Sequence, residues 1–173
     1  LPERTDGSLR FKDVWFAYTD ENWVLEEIDL AVRPGETVAI VGHTGAGKST
    51  LTSLLMRFYD VTRGSVLVEG LDVREWELSA LRRQFGMVLQ DVHLFSGSIA
   101  SNIRLGDREI ADEAVADAAA AVNLDSWVAT LAKGLDEPVK ERGSSMSAGQ
   151  KQLVSFARAL VHDPRILILD EAT

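Results

Sequence analysis

The sequence predicts an α/β fold, and three patterns along the chain indicate it. Apolar residues alternate in the opening stretch, for example at Leu9 and Phe11, which is typical of half-buried strands. Further on, the apolar run 37–41 enters a glycine-rich turn, and a helical apolar period begins near Ser49. Finally, an amphipathic helix precedes the purely apolar run 166–169. Strand and helix patterns therefore alternate, as they do in α/β domains.

Residues 1–36 are predicted to form an antiparallel β part. Their apolar alternation slips in parity near Lys12, and this slip predicts a β-bulge between two half-buried strand segments. A second alternation follows the polar turn 19–22 and ends at the Arg-Pro-Gly-Glu sequence 33–36. Two strands are therefore expected before the glycine-rich turn.

Three further parts are predicted after this β part. Residues 37–90 form the core, which begins with the run 37–41, a strand buried on both faces inside a sheet. Residues 91–150 turn alanine-rich and predict an inserted helical layer. Residues 151–173 carry most of a helix capped at Ser147, followed by a final strand.

The composition excludes several classes of function. The 173 residues include no cysteine, which removes disulfides and thiolate metal sites. The net charge of -9 disfavours nucleic acid as a partner, since a phosphate backbone would be repelled. No apolar run approaches the roughly 18 residues that a membrane-spanning helix needs. Any membrane role must therefore come through a partner.

The strongest motif is a phosphate-binding loop. Residues 42–50 match the pattern G-x-x-x-x-G-K-[ST] between an apolar run and an amphipathic helix, which is the context that the motif requires. Its backbone N–H groups and the positive end of the helix favour a triphosphate. Lys48 should reach the β and γ phosphates, and Ser49 should offer its hydroxyl to Mg²⁺. The alternative without a binding function is a glycine-rich turn with a solvated lysine. The predicted nucleotide contacts are Gly42, Thr44, Gly45, Ala46, Gly47, Lys48, Ser49 and Thr50.

An acidic pair follows the last apolar run. Asp170 and Glu171 would lie beside the phosphate loop if the two strands were neighbours in a parallel sheet. Asp170 would then hold the Mg²⁺ shell, and Glu171 would polarise the water that attacks the γ-phosphate. Acidic residues after a strand are also common as helix caps, which is the alternative.

The segment 146–150, Met-Ser-Ala-Gly-Gln, resembles the ABC signature that is usually written LSGGQ. With the phosphate loop, Gln90 after a strand and the acidic pair in the family's order, the resemblance to an ABC transporter nucleotide-binding domain covers essentially the whole chain. It implies a P-loop NTPase (RecA-like) core with an N-terminal antiparallel β subdomain and an inserted α-helical subdomain. The chain is expected to be a piece of a longer polypeptide, cut after the Walker B strand, with the family's C-terminal strands and switch histidine missing.

The same resemblance implies further site residues. Two such domains pair head to tail, and Ser147, Gly149 and Gln150 of one close on the γ-phosphate held by the other. Tyr18 is similar to the aromatic residue that stacks on adenine, with Trp23 as a rival. Gln90 is similar to the loop glutamine that contacts Mg²⁺ or the attacking water. Lys48, Gln90 and Glu171 are the implied catalytic residues, with Ser49, Gln90 and Asp170 at the metal.

Two stretches resemble exporters in particular. Residues 90–99 are similar to the region that meets the membrane domain, and Glu141-Arg142-Gly143 is similar to an exporter-specific segment before the signature. Ala148 and Lys140 depart from the family's usual glycines. The resemblance implies a motor that uses MgATP to export a substrate, fused to a transmembrane domain. It also implies a partner ATPase domain, identical or related, at the cytoplasmic face of a bacterial inner or plasma membrane.

Two alternatives stay open from the sequence. A soluble ABC ATPase of DNA repair or translation would share the nucleotide motifs without needing the exporter-like stretch after Gln90. A nucleotide-binding fragment without turnover is the other alternative, because the switch histidine has no counterpart in the chain.

Overall fold

The strands of the described residues form three separate sheets. The structure is a computed structural model that describes residues 7–20, 22–140, 143 and 145–170. One compact unit comprises Leu1–Gln84 and the other Phe85–Thr173. Each unit is described by itself below.

The first unit is built on a four-stranded antiparallel sheet of β1 (Leu9–Ala17), β2 (Trp23–Val32), β3 (Arg63–Val68) and β4 (Leu71–Asp72), in the order β2-β1-β3-β4. The predicted bulge is confirmed, because the β1 register shifts between Phe11 and Val14, where Asp13 has a φ of 46°. The buried positions of β1 are Phe11, Val14 and Phe16, and they form the inward face of the sheet.

Two helices complete this unit, α1 (Lys48–Leu55) and α2 (Leu78–Arg82). Leu51, Leu54 and Leu55 of α1 are buried, as their helical spacing predicts. Phe58 has the spacing of the same face, yet it is 54% exposed. The reason is that α1 ends at Leu55 and the backbone reverses at Arg57, whose φ is 51°. The helical spacing of apolar residues in the sequence therefore continues for about one turn beyond the end of α1.

The strand expected at residues 37–41 is wrong for this structure. These residues do not form a strand, and Val38, Ile40 and Val41 are 40%, 47% and 88% exposed. A strand needs a neighbour that supplies ladder hydrogen bonds, and no described strand pairs with this run. Apolar composition alone therefore predicted burial that the described residues do not provide.

The second unit contains a parallel pair of strands, β5 (Phe85–Val88) and β8 (Ile166–Leu169). Phe85 pairs with Ile166, and the register continues without a shift to Val88 and Leu169. The helix that packs on this pair approaches closely at Gly86, where a Cβ would lie 2.6 Å from the Ala159 carbonyl oxygen. The final strand predicted from the apolar run 166–169 is confirmed, and β5 is the strand expected before Gln90.

The remainder of the described second unit is mainly helical, as predicted for this alanine-rich region, and it also contains one short antiparallel pair of strands at Gly97–Ser98 and Pro138–Val139. Its helices enclose a core that includes Ile103, Val115, Leu124 and Val154. No described helix has both the length and the apolar character needed to span a bilayer. The elements are β6 (Gly97–Ser98), α3 (Ile99–Arg104), α4 (Asp112–Ala121), α5 (Asp125–Val128), a 3₁₀ turn (Gly134–Asp136), β7 (Pro138–Val139) and α6 (Ala148–Leu160).

Candidate functional site

The phosphate loop forms a turn that leads directly into α1. Gly47 caps the helix with a φ of 83°, and within the described residues no side-chain hydrogen bond caps the helix. This positive φ favours glycine, and a Cβ at Gly47 would also lie 2.7 Å from Leu25 Cδ2 and 3.1 Å from the Val24 carbonyl oxygen of β2. The N–H groups that open α1 are therefore not satisfied by a side-chain cap, and they can bind an anion.

The ammonium group of Lys48 lies on the loop itself. Its Nζ donates to the carbonyl oxygens of Gly42, at 2.7 Å, and His43, at 3.0 Å. This places a positive charge beside the helix N-terminus, and both features attract phosphate. Among the predicted contacts, Gly42, Thr44, Gly45, Ala46 and Ser49 are exposed, Lys48 is half-buried, and Gly47 and Thr50 are buried.

Tyr18 is connected to the same helix. Its hydroxyl lies 3.1 Å from Oγ1 of Thr50, which follows Ser49 in the first turn of α1. About half of Tyr18 stays exposed, at 49%. The rival Trp23 packs instead against Trp15, with ring centroids 5.4 Å apart, and under the Arg63 guanidinium. The aromatic ring beside the first turn of α1 is thus that of Tyr18.

In the second unit, Gln90 and Asp170 follow the two parallel strands. The Asp170 N–H donates to the Val88 carbonyl oxygen at 2.9 Å, so the pairing of β5 with β8 continues to this carboxylate. Both residues line a cavity of about 400 Å³ together with Ala148, Lys151 and Gln152. The carboxyl ends of parallel strands are where α/β sheets bind ligands.

The signature segment begins α6 with a capping box. The Ser147 hydroxyl accepts from the Gln150 N–H at 3.2 Å, and Gln150 Oε1 accepts from the Ser147 N–H at 2.8 Å. Ser147 and Gly149 are exposed, and a Cβ at Gly149 would meet nothing within 4 Å. The cap predicted from the sequence is confirmed, and it leaves this end of α6 open to solvent.

A partly buried polar network, centred on the buried Asn102, binds the segment that follows Gln90. Asn102 of α3 accepts from the Phe95 N–H and donates to the Phe95 carbonyl oxygen, both at 2.8 Å. Arg158 of α6 donates to the carbonyl oxygens of Asn102, at 2.8 Å, and His93, at 3.1 Å. Burial lowers the pKa of the Arg158 guanidinium from its ordinary value. The network therefore links residues 93–95 to both α3 and α6 by hydrogen bonds.

Several predicted residues are not brought together by what the structure describes. Glu171, Glu141 and Arg142 lie outside the described residues. The phosphate loop belongs to the first unit, whereas Gln90, Asp170 and the signature belong to the second. That Asp170 faces the phosphate loop across a metal ion therefore stays a prediction.

Lys151 and Gln152 were missed by the sequence reasoning. Both line the cavity of Gln90 and Asp170, and Lys151 lies three residues after Ala148, which also lines it. Residues three apart share a helix face, so a basic residue at this spacing was the available signal. A lysine here adds positive charge to a cavity that otherwise offers a carboxylate and two amides.

Comparison with known proteins supplies the relatives of the chain. A family model described as ABC transporter matches residues 25–173. The probable multidrug resistance ABC transporter ATP-binding/permease protein YheH of Bacillus subtilis is 48% identical over 171 residues, which are 99% of this chain and 25% of that protein. A multidrug efflux ATP-binding/permease protein of Mycobacterium tuberculosis is 48% identical over 166 residues, which are 96% of this chain and 14% of that protein.

A solved structure shows the same fold. It is described as a bacterial Atm1-family ABC exporter with ATP bound, and it matches with a TM-score of 0.85 at 38% identity. The match covers 98% of this chain and 31% of that one. The chain thus spans about a quarter to a third of these two proteins, the exporter and the Bacillus relative.

Proposed function

Because the chain belongs to the ABC transporter family, we propose that it is the ATP-hydrolysing motor of an exporter, which couples MgATP hydrolysis to transport across a membrane. Its fold is that of an ABC exporter's nucleotide-binding domain, a P-loop NTPase. The family resemblance predicted from the signature is thereby confirmed. The observation that carries the proposal is the phosphate loop, where the N-terminus of α1 is left without a side-chain cap beside Lys48.

In this proposal the first unit binds the nucleotide. The N–H groups of the loop and the first turn of α1 bind the phosphates, and Lys48 exchanges its carbonyl partners for β and γ oxygens. Tyr18 stacks on the base, since its half-exposed ring is tied to Thr50 in that same turn. The first turn of α1 therefore contributes to both contacts, because it binds the phosphates and holds the Tyr18 ring that stacks on the base.

The predicted metal ligands offer the type of ligand atom that Mg²⁺ prefers. Ser49 offers a hydroxyl, Gln90 an amide oxygen and Asp170 a carboxylate, and Mg²⁺ prefers such hard oxygen ligands. When bound, Mg²⁺ would neutralise charge that develops on the phosphates. Lys48 supports this from the protein, because it supplies a fixed positive charge at the loop.

Hydrolysis is assigned to residues of the second unit. Glu171 is proposed to polarise the attacking water, with Gln90 orienting it. In a head-to-tail pair of domains, Ser147, Gly149 and Gln150 would close on the γ-phosphate held by the partner. The open N-terminal end of α6 supports that role, because its exposed first turn can approach an anion.

The relatives support a membrane partner. Both curated relatives described above are named as ATP-binding/permease proteins, and this chain covers only part of each. We therefore propose that a transmembrane domain on the same polypeptide is driven by this motor, at the cytoplasmic face of the membrane. The partner ATPase domain is an identical or a related copy.

The substitution Glu171→Gln tests the assignment of hydrolysis. In the full-length polypeptide it should preserve MgATP binding, because the phosphate loop is untouched, and it should reduce hydrolysis by roughly 10²-fold or more, because general-base catalysis is lost. Binding by calorimetry and phosphate release measured together provide the check. Glu113→Gln, which neutralises an exposed carboxylate on α4, is the control and should keep full activity. Unchanged hydrolysis in Glu171→Gln would contradict the assigned role.

A further inference from the structure

Tyr59 is a second exposed aromatic residue beside the proposed base site. It is 48% exposed, and the centroid of its ring lies 5.1 Å from that of Tyr18. The two ring planes are inclined by 87°, which is an edge-to-face arrangement. Such pairs are favourable beyond the area that they bury, because the positive edge of one ring meets the negative face of the other.

The orientation of Tyr18 is fixed at three points. Phe16 makes an edge contact with its ring at 4.8 Å and 85°, and Tyr59 makes the other. The hydroxyl is held by Thr50 at 3.1 Å. Phe16 and Tyr59 also contact each other at 5.7 Å, so the three rings form a closed triangle. Because Phe16 is buried, Tyr59 is the exposed member that holds the Tyr18 ring on the solvent side.

The backbone of Tyr59 is itself well anchored. The chain reverses after α1, where the Phe58 N–H donates to the Ser53 carbonyl oxygen at 2.8 Å. Three residues beyond Tyr59, the Thr62 N–H donates to the Trp15 carbonyl oxygen of β1 at 3.0 Å. These two backbone hydrogen bonds, one to α1 and one to β1, place Tyr59 near the end of β1, where Tyr18 lies.

We propose that Tyr59 is a positioning residue of the nucleobase site, and this rests on the proposed function. Its ring restricts rotation of the Tyr18 ring, so that a base meets a preorganised stacking surface. The role concerns the base alone, because the phosphates are bound by the loop and by Lys48. A ligand that lacks a base should therefore not depend on Tyr59.

The test compares MgATP with inorganic tripolyphosphate in the full-length polypeptide. Tyr59→Ala should weaken MgATP binding by roughly three- to tenfold, in line with the strength of an edge-to-face pair. Tripolyphosphate binding should stay within about twofold. In hydrolysis the variant should raise KM and leave kcat unchanged, because stacking on the base is lost equally in ground and transition states.

Three further variants complete the experiment. Tyr59→Phe keeps the ring edge and should restore wild-type affinity, whereas Tyr59→Leu keeps apolar volume without the edge and should behave as Tyr59→Ala. Phe58→Ala, at the neighbouring exposed aromatic that contacts Arg82, is the control and should leave both affinities unchanged. Equal loss of both ligands, or wild-type MgATP affinity in the Ala and Leu variants, would overturn the proposal. Failure of the wild-type protein to bind MgATP would instead overturn the proposed function on which it rests.

Discussion

Glu77 shows how one side chain defines the start of a helix. Its carboxylate accepts hydrogen bonds from the hydroxyl and N–H of Ser79 and from the N–H of Ala80, at the N-terminus of α2. These bonds, the one from the Ser79 hydroxyl foremost, lower the pKa of Glu77 from 4.5 to about 2. The charged form is therefore favoured in the folded state.

This cap predicts a pH dependence of stability. Because the pKa is lower in the folded state, its stabilisation is complete above about pH 4.5 and is lost as the pH falls towards about 2. In Glu77→Gln this part of the pH dependence should disappear, since the side chain no longer titrates. Urea unfolding followed between these pH values would measure the difference, with Glu75→Gln as a control for the loss of one exposed carboxylate. Parallel pH profiles for wild type and Glu77→Gln would contradict the account.

At the scale of elements, Asn102 joins three parts of the second unit. It is 1% exposed and lies in α3, where it bonds the backbone of Phe95 on one side and Arg158 of α6 on the other. Its amide also donates to the Ser98 carbonyl oxygen at 3.0 Å. A buried network of this kind stabilises only while every member keeps its partners.

Asn102→Ala should therefore reduce the free energy of unfolding by about 1–3 kcal/mol, because it removes the side-chain hydrogen bonds that the buried Asn102 makes to Phe95, Ser98 and Arg158. Asn22→Ala, at an exposed position before β2, should change it by less than about 0.5 kcal/mol. Chemical denaturation of both variants beside the wild type provides the comparison. Equal free energies of unfolding of the two variants would contradict a stabilising role for the network.

The elements also show what periodicity can and cannot predict. The bulge in β1 followed from local alternation and the strand β8 from its apolar run, and the structure confirms both. Residues 37–41 have a similar composition but no described strand partner, and they lie exposed. Pairing depends on residues distant in sequence, so composition could not decide which run becomes a strand.

At the scale of the whole molecule, motif order carried more information than any single element. The phosphate loop, Gln90, the signature and the acidic pair predicted the family, and the ABC transporter match confirms it. Contacts between side chains were not predictable in this way. The bond of Tyr18 to Thr50 joins residues 32 apart, and Arg158 reaches Asn102 across 56 positions. Such contacts follow from tertiary packing, which no local pattern encodes.

The central claim is that the loop at Lys48 binds the phosphates of ATP. Isothermal titration of MgATP into the full-length polypeptide and into its Lys48→Ala variant tests this claim most directly. The wild type should bind with saturable heat, and the variant should bind roughly 10- to 100-fold more weakly, as expected for losing a charged hydrogen-bond donor. Absence of binding by the wild type, or equal affinity in the two proteins, would contradict the account.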